Sequence, residues 1–144
     1  MSLRYKSQLP FPIIGTKTST GTRTSVTLAG TYGTAKAFKV AGYSKLNLDV
    51  LYTMGAAETS NSIELLIEQS SDGVNYYRIP NETVTAGTST LTAREFTFVG
   101  TNAAAATISI GLDIFYKYVR VSVKETGVGS NFGTAYVEGT LSGL

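Results

Sequence analysis

The 144-residue sequence contains no cysteine, no histidine and no tryptophan. Without cysteine there can be no disulfide framework, no thiolate metal site and no cysteine nucleophile. Without histidine the chain lacks the usual general base near neutral pH and the commonest protein ligand of metal ions. These absences exclude most hydrolase and zinc-site arrangements. We therefore expect a protein that is not an enzyme and that uses no metal or cofactor.

Long apolar runs are also missing near the N-terminus. The longest one there, Phe11 to Ile14, is far shorter than the roughly 7–15 residues of a secretory signal core or the roughly 20 that span a bilayer. We expect a soluble chain that makes no membrane contact. A chain of this length suits one domain that buries roughly 68–70% of the surface exposed by its unfolded form.

Acidic residues are absent from the first 48 positions, although the net charge of the whole chain is only +2. From residue 46 onward, five basic residues face ten acidic ones. Seven basic residues precede Asp49, the first acid: Arg4, Lys6, Lys17, Arg23, Lys36, Lys39 and Lys45. Such asymmetry indicates a basic segment that meets an acidic partner.

What the chain does contain is alternation between apolar and polar residues with a period of two, the pattern of a half-buried β-strand. In the first such stretch, Ile63 to Ile79, the sequence Ser71-Asp72-Gly73 is typical of a chain reversal. It predicts a hairpin whose return strand begins at Val74 and is halted by Pro80, because proline has no amide hydrogen to donate.

The second alternating stretch, Asp113 to Glu125, predicts one long strand. Its apolar face would carry Phe115, Val119, Val121 and Val123, and its outer face Tyr116, Tyr118, Arg120 and Lys124. Tyr116, Tyr118 and Arg120 form a stripe that would suit a protein interface, since such residues bury large areas at modest entropic cost. Ordinary cross-strand packing explains the same stripe equally well.

Alternation recurs at Leu46, Leu48, Val50, Tyr52 and Met54, and no segment shows a sustained helical period. Many short strands separated by turn residues predict an all-β, single-domain antiparallel β-sandwich. We expect it to be jelly-roll-like, with about eight to ten strands. Residues 25–144 would form the sandwich.

Residues 1–24 carry prolines, glycines and a Ser/Thr run without a sustained period, and they predict an extended basic N-terminal arm outside the core. Its charges Arg4, Lys6, Lys17 and Arg23 would clamp a neighbouring protein or remain solvated; both readings stay open. A nucleic acid is a less suitable partner, because the basic residues are sparse and no stacking aromatics accompany them.

Two motifs that might indicate chemistry do not do so. Gly127-Val128-Gly129 starts like a dinucleotide-binding loop, but Phe132 replaces its last glycine and no helix follows. Glu64 and Glu68 would lie about 13 Å apart along a strand, at roughly 3.3 Å per residue. That separation exceeds the roughly 5–9.5 Å between the carboxyl groups of glycosidases.

The segment L-I-E-Q-S-S-D-G-V-N-Y-Y-R-I, together with the later Y-K-Y-V-R-V-S-V, resembles β-sandwich proteins of bacteriophage virions. These include jelly-roll decoration proteins, also called auxiliary capsid proteins, and related head or tail components. The resemblance implies a non-enzymatic structural protein of the virion, assembled in the host cytoplasm. Its partners would be the major capsid protein or another virion protein. It would act as a homo-oligomer, with three copies favoured by analogy.

The same segments also resemble the discoidin, or coagulation factor 5/8 C-type, domain. That resemblance implies a carbohydrate-binding module, for which Tyr32, Tyr43 and Tyr77 are the candidate loop tyrosines. The chain departs from the discoidin pattern after the turn, where Tyr76-Tyr77 stand in place of a tryptophan, and it lacks the bracketing cysteines of extracellular members.

Overall fold

The regular secondary structure of the described residues consists of β-strands. The computed structural model describes residues 6–33, 35–78, 80–93, 95–99 and 106–143, with the backbone alone at residues 6, 80–85, 88–93, 95–99 and 106. No helix of the described residues is long and apolar enough to cross a membrane. The strands are β1 (Lys6–Ser7), β2 (Phe11–Ile14), β3 (Thr16–Lys17), β4 (Arg23–Thr24), β5 (Val26–Thr27), β6 (Lys36–Lys39), β7 (Lys45–Thr53), β8 (Ser62–Ser70), β9 (Tyr77–Arg78), β10 (Pro80–Thr85), β11 (Thr88–Ala93), β12 (Glu95–Val99), β13 (Ala106–Asp113), β14 (Tyr118–Thr126) and β15 (Thr134–Gly143).

The main strands form two antiparallel sheets. In the first sheet β13 pairs with β7 and β7 with β15, while β1, β2 and β5 follow one another along the far edge of β15. In the second sheet the order is β12, β8, β14, β6, and β9 also pairs with β8. Two hairpins, β3–β4 and β10–β11, stand apart from these sheets. Strands β6, β7 and β8 alternate between the sheets, as do β12 to β15, which is the connectivity of a jelly roll. The predicted sandwich is confirmed.

The core lies between the two sheets, because the period-two pattern turns one apolar row of each strand inward. On β7 the row Leu46, Leu48, Val50 and Tyr52 is at most 1% exposed, as the alternation predicted. Other buried apolar residues of the core come from both sheets: Ile63, Leu65 and Ile67 of β8, Val119 and Val121 of β14, Ile110 and Leu112 of β13, and Ala135, Val137 and Leu141 of β15.

The described part of the predicted arm, residues 6–24, lies along the first sheet. Strand β2 pairs with β15 across a register shift at Val137 and Glu138, and Ile13 is 2% exposed within the core. After Gly15 the β3–β4 hairpin leaves the sheet, and the chain returns to β15 as β5. Residues 6–27 thus supply the first strand of the jelly roll, interrupted by one hairpin.

The stretch from Asp113 to Glu125, predicted as one strand, is two. Strand β13 ends at Asp113 in the first sheet, and β14 begins at Tyr118 in the second. Between them the amides of Phe115 and Tyr116 donate to the side-chain oxygen of Gln69 instead of to a strand. The alternation through this crossing is accidental, and Phe115, predicted to face the core, is 76% exposed.

The hairpin predicted at Ser71-Asp72-Gly73 is present, but its return strand is shorter than predicted. The carboxylate of Asp72 accepts hydrogen bonds from the amides of Val74 and Asn75, both at 2.8 Å, and Gly73 adopts a φ of 77°. Residues bound in this way cannot join a ladder, so β9 starts only at Tyr77. Ile79, the predicted end of that strand, lies outside the described residues.

Replacing Ile13 with alanine tests whether the N-terminal segment belongs to the core. We expect Ile13→Ala to lower the free energy of unfolding by about 2–5 kcal/mol in urea titrations, because it leaves a cavity at a 2% exposed site. Val26→Ala, at a 40% exposed position of β5, is the matched control and should cost less than about 1 kcal/mol. Equal small losses would place residues 11–14 outside the core.

Candidate functional site

Two of the four predicted partner-binding charges meet at one carboxylate on the outer face of the first sheet. Glu138 of β15 is 3% exposed, and its two oxygens bind Lys17 Nζ at 2.7 Å and Arg23 Nη2 at 2.8 Å. Burial raises the pKa of Glu138, but the Lys17 hydrogen bond and the Arg23 charge lower it by more, so the net pKa falls below its ordinary value. The carboxylate is therefore held ionised.

These bonds fasten the β3–β4 hairpin onto β15. The Arg23 guanidinium lies 5.6 Å from the centroid of the Tyr136 ring, and Tyr136 is 2% exposed although it points outward from the sheet. Lys17 and Arg23 thus bind within the chain. Arg4 lies outside the described residues, and the side chain of Lys6 is not described. That these four residues contact a partner stays a prediction.

The predicted stripe is divided by the start of β14. Tyr118 and Arg120 lie on the outer face of the second sheet, whereas Tyr116 belongs to the preceding crossing. Arg120 is bound by Glu68 at 2.7 Å and lies 4.2 Å from the centroid of the Tyr76 ring. Arg120 thus makes cross-strand contacts, and Tyr116, 48% exposed, lies at the end of the sandwich. That the three residues form a protein interface stays a prediction.

Four large apolar side chains are exposed at that end. We call them the aromatic end: Val74, Tyr77, Phe115 and Tyr116, which are 78%, 67%, 76% and 48% exposed. Gln69 links three of these residues. It pairs with Tyr77 in the β8–β9 ladder, and its side-chain oxygen accepts the amide hydrogen bonds of Phe115 and Tyr116. Exposed apolar residues gathered at one end of a sandwich are candidates for an interaction site, because soluble proteins expose large apolar patches mainly where they bind a partner.

The backbone beneath the aromatic end is fixed by hydrogen bonds. Gln69 is 2% exposed, so the amides it binds are held from inside the protein. On the neighbouring loop, the amides of Asn75 and Val74 lower the pKa of Asp72 below its usual range, and Ser70 Oγ accepts the amide of Gly73 at 2.9 Å. A surface whose loops are already ordered loses little conformational entropy when a partner binds.

The charges next to the aromatic end include two exposed lysines. Lys39 pairs with Tyr118 across the β6–β14 ladder, and the carbonyl of Lys117 accepts the amide of Val40. Within the described part of the chain neither lysine forms an ion pair. An apolar centre with cations beside it suits a protein partner that places acidic groups around an apolar contact.

The opposite end of the sandwich is organised by two buried acids. The Glu58 carboxylate accepts the amides of Gly129, Asn131 and Ser130 at 2.7–2.8 Å, and these bonds lower the pKa of Glu58 to about 2. Glu125, 1% exposed, accepts hydrogen bonds from the Tyr52 hydroxyl at 2.5 Å and from the Gly133 amide at 2.6 Å. Both carboxylates therefore hold loops in place through hydrogen bonds.

Two further carboxylates of the second sheet are also paired. Glu64 binds Lys124 at 3.1 Å, and Glu68 binds Arg120. Among the residues that the structure describes, no group of three or more acidic, cysteine or histidine side chains could hold a metal ion. The geometry at these carboxylates is that of structural ion pairs on a strand face.

The three tyrosines considered for a sugar site do not come together. Tyr32 lies beneath Lys124, whose Nζ is 4.6 Å from the ring centroid, and Tyr43 packs against the core. Of the three, Tyr77 alone is exposed, and it belongs to the aromatic end. A stacking platform built from Tyr32, Tyr43 and Tyr77 is therefore not formed.

Comparison with known proteins yields one likeness of fold. The chain is similar to the crystal structure of the SPBc2 prophage-derived protein YomS, with a TM-score of 0.54 and 14% sequence identity, over 99% of this chain and 98% of that chain. No protein-family model matches the sequence, and no curated protein matches it. At this identity the likeness establishes a shared fold with a phage-derived protein.

Replacing Glu138 with glutamine tests the bonds that fasten the hairpin. At pH 7 we expect Glu138→Gln to lower the free energy of unfolding by about 1–3 kcal/mol, because two charge-assisted hydrogen bonds weaken. The pKa of Glu138 is depressed by folding, so its contribution is present above the unfolded pKa of about 4.3 and is lost as the pH falls through the folded value.

Urea titrations at neutral and acidic pH would measure this difference. The gap between the wild type and Glu138→Gln should close at acidic pH, while the control Glu64→Gln, at a partly exposed ion pair, should change stability by less than about 1 kcal/mol. A gap that does not depend on pH would contradict a role for the Glu138 charge.

Proposed function

We propose that this chain is a structural protein of a phage virion that acts through protein–protein contacts, as a capsid decoration protein or a head–tail component. The observation that carries the proposal is the fold shared, over nearly the whole length of both chains, with a prophage-derived protein. The segments that resemble virion β-sandwich proteins belong to strands β8, β9 and β14 of that fold. Its partners are the major capsid protein or another virion protein.

The aromatic end supplies a surface suited to this role. Full burial of an exposed large apolar side chain contributes about 1.5–3 kcal/mol, so a few such residues can anchor a contact. Because Gln69 and Asp72 already fix the loops, little of that gain is lost in ordering them. A rigid apolar tip on a sandwich can therefore bind a preformed site on a neighbouring virion protein.

Electrostatics favours acidic groups of the partner on the side of this end that carries Lys39 and Lys117, whereas the exposed Asp72 carboxylate lies next to Val74. Lys39 and Lys117 beside the aromatic residues would attract acidic groups around the contact and reject a basic surface. Repetition of one modest contact over a virion lattice then adds avidity without any new interaction. The mechanical result is that neighbouring subunits become harder to separate.

A binding experiment with shells and tails tests the proposal. The purified protein is mixed with empty shells or with isolated tails prepared without it, and binding is measured by co-sedimentation. We expect the wild type to pellet with one of them and the double variant Tyr77→Ser, Phe115→Ser to bind at least about tenfold more weakly, as for loss of anchor residues. Both positions are mostly exposed, so the sandwich should remain folded.

The matched control is Val26→Ser, a 40% exposed apolar residue that pairs with Ala135 at the opposite end of β15. It should bind like the wild type. Deletion of residues 1–24 is not an informative variant, because it removes Ile13 from the core. Failure of the wild type to pellet with either shells or tails would overturn the proposal, as would selective binding to an arrayed sugar without binding to virion components.

A further inference from the structure

A sandwich of two sheets has four strand edges, and in this chain three of them carry features that prevent pairing with another strand. Natural sheets protect their edges with lysine, proline, bulges or very short strands. The edge of β6 has exposed lysines at both ends, Lys36 and Lys39. Along β15 the edge is broken into the short strands β1, β2 and β5, with Pro12 and a register shift.

The third edge is formed by β9 and β12, beside β8. Strand β9 has two residues and contains Arg78, and β12 has five residues and begins at the charged Glu95. Both are short, and each pairs with a different part of β8, so the edge is discontinuous. These features make the third edge a poor template for a long added strand.

The fourth edge, β13, has none of these protections. It runs for eight residues, A-T-I-S-I-G-L-D, with no charge and no proline before Asp113, and its pairing with β7 has no register shift. In the described part of the chain β13 pairs with β7 alone, and the β10–β11 hairpin pairs only within itself. Among the described residues, the second edge of β13 therefore has no strand partner, and its row of backbone donors and acceptors is continuous.

We propose that β13 pairs antiparallel with β13 of a second copy of this chain, about a two-fold axis at Ile110. The first sheets of the two copies then become one continuous sheet. This inference rests on the strand edge and does not depend on the proposed virion role. The proposal predicts a dimer formed at this edge, whereas the resemblance to phage virion proteins favours a trimer.

The register follows from the two faces of the sheet. Ile108, Ile110 and Leu112 point into the core, and Thr107, Ser109 and Gly111 point outward. Opposite residues of an antiparallel pair share a face, so inward residues must meet inward residues. With Ile110 opposite Ile110, Ile108 meets Leu112 of the second copy and Ser109 meets Gly111 of the second copy, and the whole described strand from 107 to 113 is paired.

A second copy fits this edge better than a parallel or head-to-tail arrangement. Antiparallel pairing sets Asp113 opposite Thr107 of the second copy and keeps the two Asp113 carboxylates at opposite ends of the strand pair. Parallel pairing would bring them together, and like charges directly opposite are destabilising. A head-to-tail contact would need one of the three protected edges. The two-fold arrangement uses the β13 edge of both copies and forms a closed dimer.

The inward row of β13 supports the same arrangement, because it is apolar at every position. Ile110 and Leu112 are buried, each 7% exposed, and Ile108 is half-buried and packs against the core. A neighbouring strand would cover the part of Ile108 that is still exposed. An added β13 brings three apolar residues of the second copy to this edge of the core.

The test uses two pairs of substitutions at the same exposed positions. Gly111 has no atom within 4 Å of an added Cβ, and Ser109 is exposed, so both sites accept longer side chains. In the variant S109K/G111K, each new lysine lies opposite a new lysine of the second copy. In S109K/G111E, each new lysine lies opposite a new glutamate.

Sedimentation equilibrium and light scattering report the mass, and circular dichroism with thermal melting confirms the fold. We expect the wild type at twice the chain mass, S109K/G111K with a dissociation constant raised about tenfold or more, and S109K/G111E close to the wild type. A monomeric wild type would overturn the proposal. This holds even if the β13 edge then binds a strand of a different protein.

Three further outcomes would also overturn it. An oligomer whose mass and dissociation constant are the same in both variants does not use the β13 edge. A trimer that dissociates in neither variant rejects the two-fold pair. Equal weakening in S109K/G111K and S109K/G111E would contradict the pairing of position 109 with position 111. None of these readouts involves shells or tails, so they are independent of the virion experiment.

Discussion

The pairing of β15 on both of its sides is the constraint on which the rest of the structure depends. β15 pairs with β7 on one edge and with the N-terminal segment on the other, and Lys17 bonds to Glu138, 121 positions away. The entropic cost of closing so long a loop grows only with the logarithm of its length. Burial of Ile13 and the ionised bonds of Glu138 can therefore hold the first and last strands of the jelly roll together.

The same topology creates the surfaces that remain available for contact. Wherever the chain crosses from one sheet to the other, it leaves the ladder, and its amides need other acceptors. At the crossing after β13 that acceptor is Gln69, which leaves Phe115 and Tyr116 facing outward. At the far end Glu58 and Glu125 bind the corresponding loop amides. At both ends of the sandwich, buried polar side chains thus act as loop anchors.

The fold class and the sandwich layers could be predicted because period-two alternation is a local signal. Leu46 to Tyr52 and Ile63 to Ile67 point inward as their spacing requires, and Asp72-Gly73 reverses the chain where turn chemistry demands it. The candidate site could be predicted only in part. The alternation correctly predicts that Tyr116 faces outward, but it wrongly predicts Phe115 in the core, because it continues by chance through a crossing that no local pattern marks.

Composition and the pattern of neighbours two residues apart were enough to predict an all-β sandwich, its main inward rows and the scarcity of catalytic groups. Tertiary structure alone decided that the basic N-terminal segment is an edge strand, that Lys17 and Arg23 meet Glu138, and that β13 is left open. Those outcomes depend on which strands become neighbours in space. Strand neighbours are chosen by the burial of the whole core, to which residues more than a hundred positions apart contribute together.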